Sequence, residues 1–276
     1  LENTNLDIVF GWLLIFDVLP LWIIAVIFFV AMMIALEFAF HIGRSRRHTW
    51  RDPEKGGGAI VQTSLFAVLG LVLAFTYSAS LNKYETRKAA LVNEANAIGT
   101  AFYRADLAVE PGRQELMRSL YEYARTRSVP PRSLHTPEDF QNLISRTLEK
   151  QSHIWPATKQ VIAQDNPLPL ETAIVTAVNH VMDANTFRLA AVIDRLQPTI
   201  VWLLLLVAAS AMAVAGYTAG IQDRISRWRM SAFSIVLTAL AVLILDLDRP
   251  NDGTVIVDQR IMEIVIADMH KMLYRN

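Results

Sequence analysis

The sequence has no cysteine, which excludes disulfides, thiolate metal sites and cysteine nucleophiles and leaves the compartment unreadable from thiol usage. It also lacks an excess of either charge: 26 Lys and Arg stand against 26 Asp and Glu. A nucleic-acid footprint needs a basic surplus on one face, so no polyanion partner is implied. Catalytic signatures are missing too. The six histidines, His41, His48, His135, His153, His180 and His270, are scattered without metal-ligand spacing, and no nucleophile motif or phosphate-binding glycine loop occurs. The expectation is a protein that is not an enzyme and carries no cofactor and no metal.

What the chain does have is apolar residue, 53% of its 276 positions, gathered into four blocks. Crossing roughly 30 Å of hydrocarbon takes about 20 mostly apolar residues. Four stretches are long enough: Leu21 to Ile42, Ala59 to Leu81, Thr199 to Ile221 and Met230 to Leu247. An interrupted apolar stretch, Ile8 to Leu19, precedes the first; it carries Asp17 and ends at Pro20. None reads as a removable signal sequence, which needs a basic start, a short apolar region and a small-residue cleavage site. The fold class expected is an all-α membrane protein with four transmembrane helices, in two pairs at 1–81 and 198–250, around an extramembrane helical bundle at 82–197. A C-terminal segment, 251–276, carries an amphipathic helix.

Within the polar segment, Tyr84, Leu91, Ile98 and Ala105 recur every seven residues, flanked by Ala95 and Phe102. That is a helix seam with a coiled-coil period. Only Gly70 and Gly99 interrupt the run from Ala59 to Leu107, so the second span is expected to continue into the domain as one rod of roughly 70 Å. Helices are then expected from Arg113 to Arg127, and from the start signal Thr136-Pro137-Glu138-Asp139, with Pro156 kinking or restarting the latter. A last long helix, Glu171 to Leu196, presents Ile174, Val178, Val181, Leu189, Val192 and Leu196 and runs on to Pro198. Near the C-terminus, Gly253 to Val257 is β-prone. Asp258 to Leu273 then reads as a helix with Ile261, Ile264, Val265 and Met269 inward.

The loop after the first span holds Arg44, Arg46, Arg47, Arg51 and Lys55, and that after the third holds Arg224, Arg227 and Arg229. Short basic loops stay in the cytoplasm. The helical domain and both termini are thereby placed outside a bacterial inner membrane, in the periplasm. Lys83, Arg87, Lys88, Arg195 and Arg249 on the domain side reduce the bias without reversing it.

Intramembrane charge marks function by default. Glu37 lies inside the first span with His41 four residues on; its plainer role is an ion pair with Arg44 or Arg47 near the interface. The second span has a face of small residues, Thr63, Ala67, Gly70, Ala74 and Ser78, with Tyr77 beside it. Such a face packs against another helix or lines a narrow pathway. As pathway it would use Thr63, Gly70, Tyr77 and Ser78, with Phe66 or Leu73 as the constriction. Gly216 and Gly220 in the third span mean close helix packing. Asp246, Asp248 and Arg249, before Pro250, form a charge cluster that fixes the exit of the fourth span.

Three strings resemble the bacterial bestrophin-like domain family: Phe66-Ala67-Val68-Leu69-Gly70-Leu71-Val72-Leu73-Ala74-Phe75, then Glu94-Ala95-Asn96-Ala97-Ile98-Gly99-Thr100-Ala101-Phe102-Tyr103-Arg104, and Leu245-Asp246-Leu247-Asp248-Arg249-Pro250 with Gly253. The likeness extends over essentially the whole chain. Bestrophins proper are pentameric anion channels whose pore is formed by the second span and whose helical domain is cytosolic. The resemblance therefore implies a homo-oligomer, a pentamer by analogy, that sits in membrane lipid and passes anions or other small ions, with its domain in the cytoplasm if the orientation follows too. Phe66, Gly70 and Ala74 share one four-residue row where a neck of bulky apolar residues would stand, and no acidic run suggests a calcium clasp. The function expected is thus an oligomeric ion-channel-like protein; the alternative is a non-conducting scaffold or sensor whose helical domain binds a partner.

Overall fold

The structure, a computed structural model, describes residues 19–46, 57–130, 133, 136–222, 225–250 and 253–274. Asp17 and the loop cations Arg47, Arg51, Lys55 and Arg224 lie outside them. The elements are α1 (Leu21–Arg46), α2 (Gly57–Ala105), α3 (Gly112–Arg127), α4 (Pro137–Ser152), α5 (Ile154–Ile162), α6 (Leu168–Ile193), α7 (Pro198–Gln222), α8 (Arg227–Asp248) and α9 (Arg260–Leu273). No strand occurs among the described residues, and Gly253 to Val257, expected to be β-prone, forms bends and irregular chain. Among the described residues, four helices are long and apolar enough to cross a membrane. The chain is an all-α, multi-pass membrane protein.

The chain divides into two compact units. One takes in the described residues up to Asn82 together with Arg195–Arg249; the other takes in Lys83–Asp194 and the described residues from Pro250 on. As the lack of breakers predicts, α2 is a single helix, 49 residues long. The same expectation fails at α6. This helix stops at Ile193, Asp194 is extended (φ −70°, ψ 101°), and four non-helical residues precede Pro198. Proline disfavours helical backbone in the residue before it and has no N–H to continue a ladder, so the third span starts afresh at Pro198.

In the span unit, α1 buries Ile24, Phe28, Met32, Leu36 and Phe40, a row at four-residue spacing. It faces Val201, Leu204, Ala208, Ala211, Ala215, Gly216 and Gly220 of α7. A methyl group at Gly216 would run into the carbonyl of Leu36, and one at Gly220 into that of Phe40. Small residues let the two backbones approach closely, which is how helices gain dispersion energy where lipid removes the hydrophobic drive.

In the extramembrane unit the heptad seam of α2 is buried at Leu91, Ile98 and Ala105 and half-buried at Tyr84; Ile98, Phe102 and Ala105 join Leu116, Leu120, Ile154, Ile174 and Val181 in one core. Thr136 caps α4 through a capping box with Asp139, satisfying two otherwise orphaned N–H groups. A Cβ on Gly112 would lie 2.9 Å from Val161 Cα, so the start of α3 needs glycine to sit against α5. Two helix faces match the expected ones only in part: Ile174, Val178, Val181 and Met269 are buried as expected. On α9, Ile261 and Ile264 are exposed; Met262 and Met269 are buried, with Val265, Ile266, Met272 and Leu273 packed beside them. On α6 the buried row leaves Leu189 and Val192 half-buried and runs through Ala184, Asn185 and Arg188 instead. Apolar periodicity cannot foresee a buried arginine.

Candidate functional site

The membrane half of α2 is the least covered span. Only 11% of its most apolar window is buried, against 33%, 39% and 44% for the other three. Leu69, Leu73 and Thr76 face the span core, and Thr76 returns its hydroxyl to the Val72 carbonyl at 2.7 Å. The opposite side is open. Thr63, Gly70, Tyr77 and Ser78 are all exposed, and a Cβ added to Gly70 would meet nothing within 4 Å. Four of the six pathway candidates therefore share the uncovered side. Leu73 is buried among the spans, while Phe66 is half-buried with its ring edge-on to Phe233 of α8, centroids 5.2 Å apart. The open side offers hydroxyls and small side chains, interleaved with the exposed apolar residues Val61, Val68, Leu71 and Phe75, and no charge.

Glu37 is held across the unit. Arg227 at the head of α8 donates to its carboxylate at 2.7 and 3.4 Å, and the same guanidinium lies over the Phe40 ring at 5.8 Å. The locking partner is thus on another span, 190 positions away, where the sequence suggested the helical neighbours Arg44 or Arg47. His41 is exposed, edge-on to Phe40. The cluster at the end of α8 ties distant backbone: Asp248 accepts the Leu196 N–H at 2.9 Å, and Arg249 donates to the Leu19 carbonyl at 2.6 Å. Asp246 is buried beside them. These contacts fasten the entrances of α7 and α1 to the exit of α8.

The extramembrane unit holds a feature that periodicity did not reveal. Glu94 is completely buried and its carboxylate accepts four hydrogen bonds. Arg127 supplies two, from Nε at 2.7 Å and Nη2 at 3.2 Å; Arg188 Nη1 supplies one at 2.7 Å and the Tyr123 hydroxyl one at 2.8 Å. Those four donors match the lone-pair sites of an ionised carboxylate. Arg188 also donates to the Arg127 carbonyl and to Gln259, both at 3.2 Å. Burial by itself would raise the Glu94 carboxyl, but the charges and hydrogen bonds of Arg127 and Arg188 outweigh it and hold the group below the usual carboxylate range. Burial first, and the Glu94 charge second, push the Tyr123 phenol far above its ordinary value, so it remains a donor. Burial also lowers the Arg188 guanidinium, opposed by Glu94. The cluster clamps α2, α3, α6 and the residue preceding α9 to one carboxylate. A signal was present in the sequence: Arg87, Glu94 and Ala101 stand at seven-residue spacing beside the apolar seam and are all buried.

Elsewhere among the described residues, no group of three or more His, Asp or Glu is placed to hold a metal ion.

A family model for the bestrophin-like domain matches residues 27–262. No curated protein matches the sequence. Among solved structures, two variants of a bacterial bestrophin homologue from Klebsiella pneumoniae are similar to this chain. One has 10% identity and a TM-score of 0.63, covering 88% of this chain and 98% of its own. The other has 11% identity and a TM-score of 0.62, with 91% and 98% covered. At that identity the likeness establishes the fold.

Proposed function

Since the chain belongs to the bestrophin-like domain family, we propose that it is an oligomeric, channel-like protein of a bacterial inner membrane, with the open side of α2 facing a pathway for anions or other small ions. The observation that carries this reading is the exposure of α2: a span whose apolar window is only 11% buried needs cover beyond its own subunit, and its small, hydroxyl-bearing side is suited to a shared axis. Copies of the chain would set Thr63, Gly70, Tyr77 and Ser78 around that axis, as a pentamer if the assembly follows bestrophins proper. Phe66 and Leu73, turned toward the chain's own spans, would shape the wall from behind.

The test is ion flux through the full chain reconstituted in liposomes. Gly70→Leu adds bulk where the subunit has open space and is expected to cut flux by about an order of magnitude while leaving the subunit folded, because a narrow pore is set by the radius of its lining. No flux from the native protein, or flux unchanged by Gly70→Leu, would overturn the proposal. A second reading, a non-conducting scaffold or sensor, is favoured by the absence of charge on that same side, which suits tight packing between copies. It predicts that Gly70→Leu and Ser78→Leu alter the stability of the assembly and that no current exists to lose.

Orientation has its own test. The arginines of the two short loops support a periplasmic position for the extramembrane unit. Ser133 is exposed, and the chain has no background thiol. A membrane-impermeant maleimide is therefore expected to label the Ser133→Cys protein in intact spheroplasts. Labelling only after lysis would place the unit in the cytoplasm.

A further inference from the structure

The surface of α8 carries a second recognisable pattern. Arg229, Phe233, Val236, Leu240 and Leu243 follow one another at spacings of four, three, four and three, so they share one helix face. All five are exposed in the subunit. Trp228, 77% exposed, stands beside Arg229 at the head of the face. The neighbouring cation, Arg227, is occupied by Glu37 at 2.7 Å, whereas Arg229 has no carboxylate partner among the described residues. From Arg229 to Leu240 the helix rises about 16 Å, close to half of the roughly 30 Å hydrocarbon core.

The order along the face is thus cation and indole, then apolar side chains for the depth of one leaflet. An anionic phospholipid has the same order: phosphate, glycerol, acyl chain. We propose that Arg229 and Trp228 bind the headgroup of an anionic glycerophospholipid whose acyl chain lies along Phe233, Val236 and Leu240. The guanidinium forms charge-assisted hydrogen bonds to phosphate oxygens, which favour a planar donor fork. Tryptophan sits at headgroup depth with its ring in the interface and its N–H toward the polar layer. The inference rests on the chain being a multi-pass membrane protein and is independent of whether it conducts.

Native mass spectrometry of the detergent-solubilised full chain, offered phosphatidylglycerol or phosphatidylcholine with identical acyl chains, provides the test. The native protein is expected to retain phosphatidylglycerol about fivefold better, the discrimination one interfacial arginine supplies. Arg229→Gln should bring the two lipids to parity and Arg229→Lys should keep most of the preference, while Arg146→Gln, on the exposed side of α4, should change nothing. Should Arg229→Gln fail to fold, Trp228→Ala serves in its place and should weaken retention of both lipids. Four results would overturn the proposal: no preference in the native protein, an undiminished preference in Arg229→Gln, glycerol 3-phosphate alone binding as well as the lipid, or a disulfide between copies in oxidised Val236→Cys protein, which would show a second subunit covering the face.

Discussion

Glu94→Ala is expected to destabilise the extramembrane unit by about 3–5 kcal/mol, because removing one member of a buried ion cluster leaves the other charges dehydrated and unpaired. Here two guanidiniums would be stranded. Arg127 and Arg188 have side chains only 10% exposed, so neither regains water without opening the helix packing. Thermal unfolding of the full chain in detergent, followed by proteolysis of the 83–194 region, measures the loss. Glu94→Gln should fall between the native chain and Glu94→Ala, since the amide retains an acceptor and loses the charge. A triple change to apolar residues, Glu94→Leu with Arg127→Met and Arg188→Met, should recover much of the stability, because no buried charge then remains to be satisfied. If Glu94→Ala melts with the native protein, the clamp is not what secures this unit.

The pH dependence follows from the same cluster with a definite sign. The Glu94 carboxyl lies below its ordinary value in the folded chain, so the folded state binds its proton less readily than the unfolded state does. Its contribution is complete above the ordinary carboxylate range and disappears as pH falls through the depressed folded value. Acid should therefore melt the native unit progressively, and Glu94→Gln should remove that part of the acid sensitivity.

Gly216→Leu is expected to have the second large effect, on the span unit. A single added methyl would already collide with the Leu36 carbonyl, and backbone cannot step aside as a flexible side chain can. Overpacking a tight core usually costs about 1–3 kcal/mol; against backbone the cost should reach the top of that range or exceed it, and α1 should separate from α7. The readout is a disulfide between cysteines introduced at Met32 and Met212, both fully buried in the span core and one turn before the Leu36–Gly216 contact. It should form readily in the native background and fail in Gly216→Leu. Gly70→Leu, which meets open space within the subunit, should leave this cross-link intact. The two glycines separate a change that breaks the subunit from one that acts on the proposed pathway.

Much of the fold was legible because membrane spans and helix breaks are local events. Apolar length gave the four spans, Thr136 gave the start of α4, and the heptad of α2 gave the seam that is buried in the extramembrane core. Long-range partners were a different matter. Glu37 meets Arg227 on another span where the sequence pointed to Arg44 or Arg47, Asp248 meets the Leu196 N–H, and Glu94 meets Arg127 and Arg188 at separations of 33 and 94 residues. None of those distances has a period, so no pattern along the chain announces them. The faces of α6 and α9 were read correctly at Ile174, Val178, Val181 and Met269 and misjudged at Leu189, Val192, Ile261 and Ile264 for a related reason: apolar side chains indicate which residues can be buried, and the partners decide which are.

The sequence alone thus marked four stretches long and apolar enough to cross the membrane and a helical domain between the second and third of them, since hydrocarbon thickness and backbone hydrogen bonding leave a run of about 20 apolar residues few alternatives. It also marked the small-residue side of the second span. Only the tertiary structure decided which side of that span its own subunit leaves open, that Leu73 lies inward while Gly70 does not, and that a buried carboxylate gathers two arginines and a tyrosine. Those outcomes depend on desolvation and close packing between segments far apart in the chain, energies that arise only once the helices are assembled.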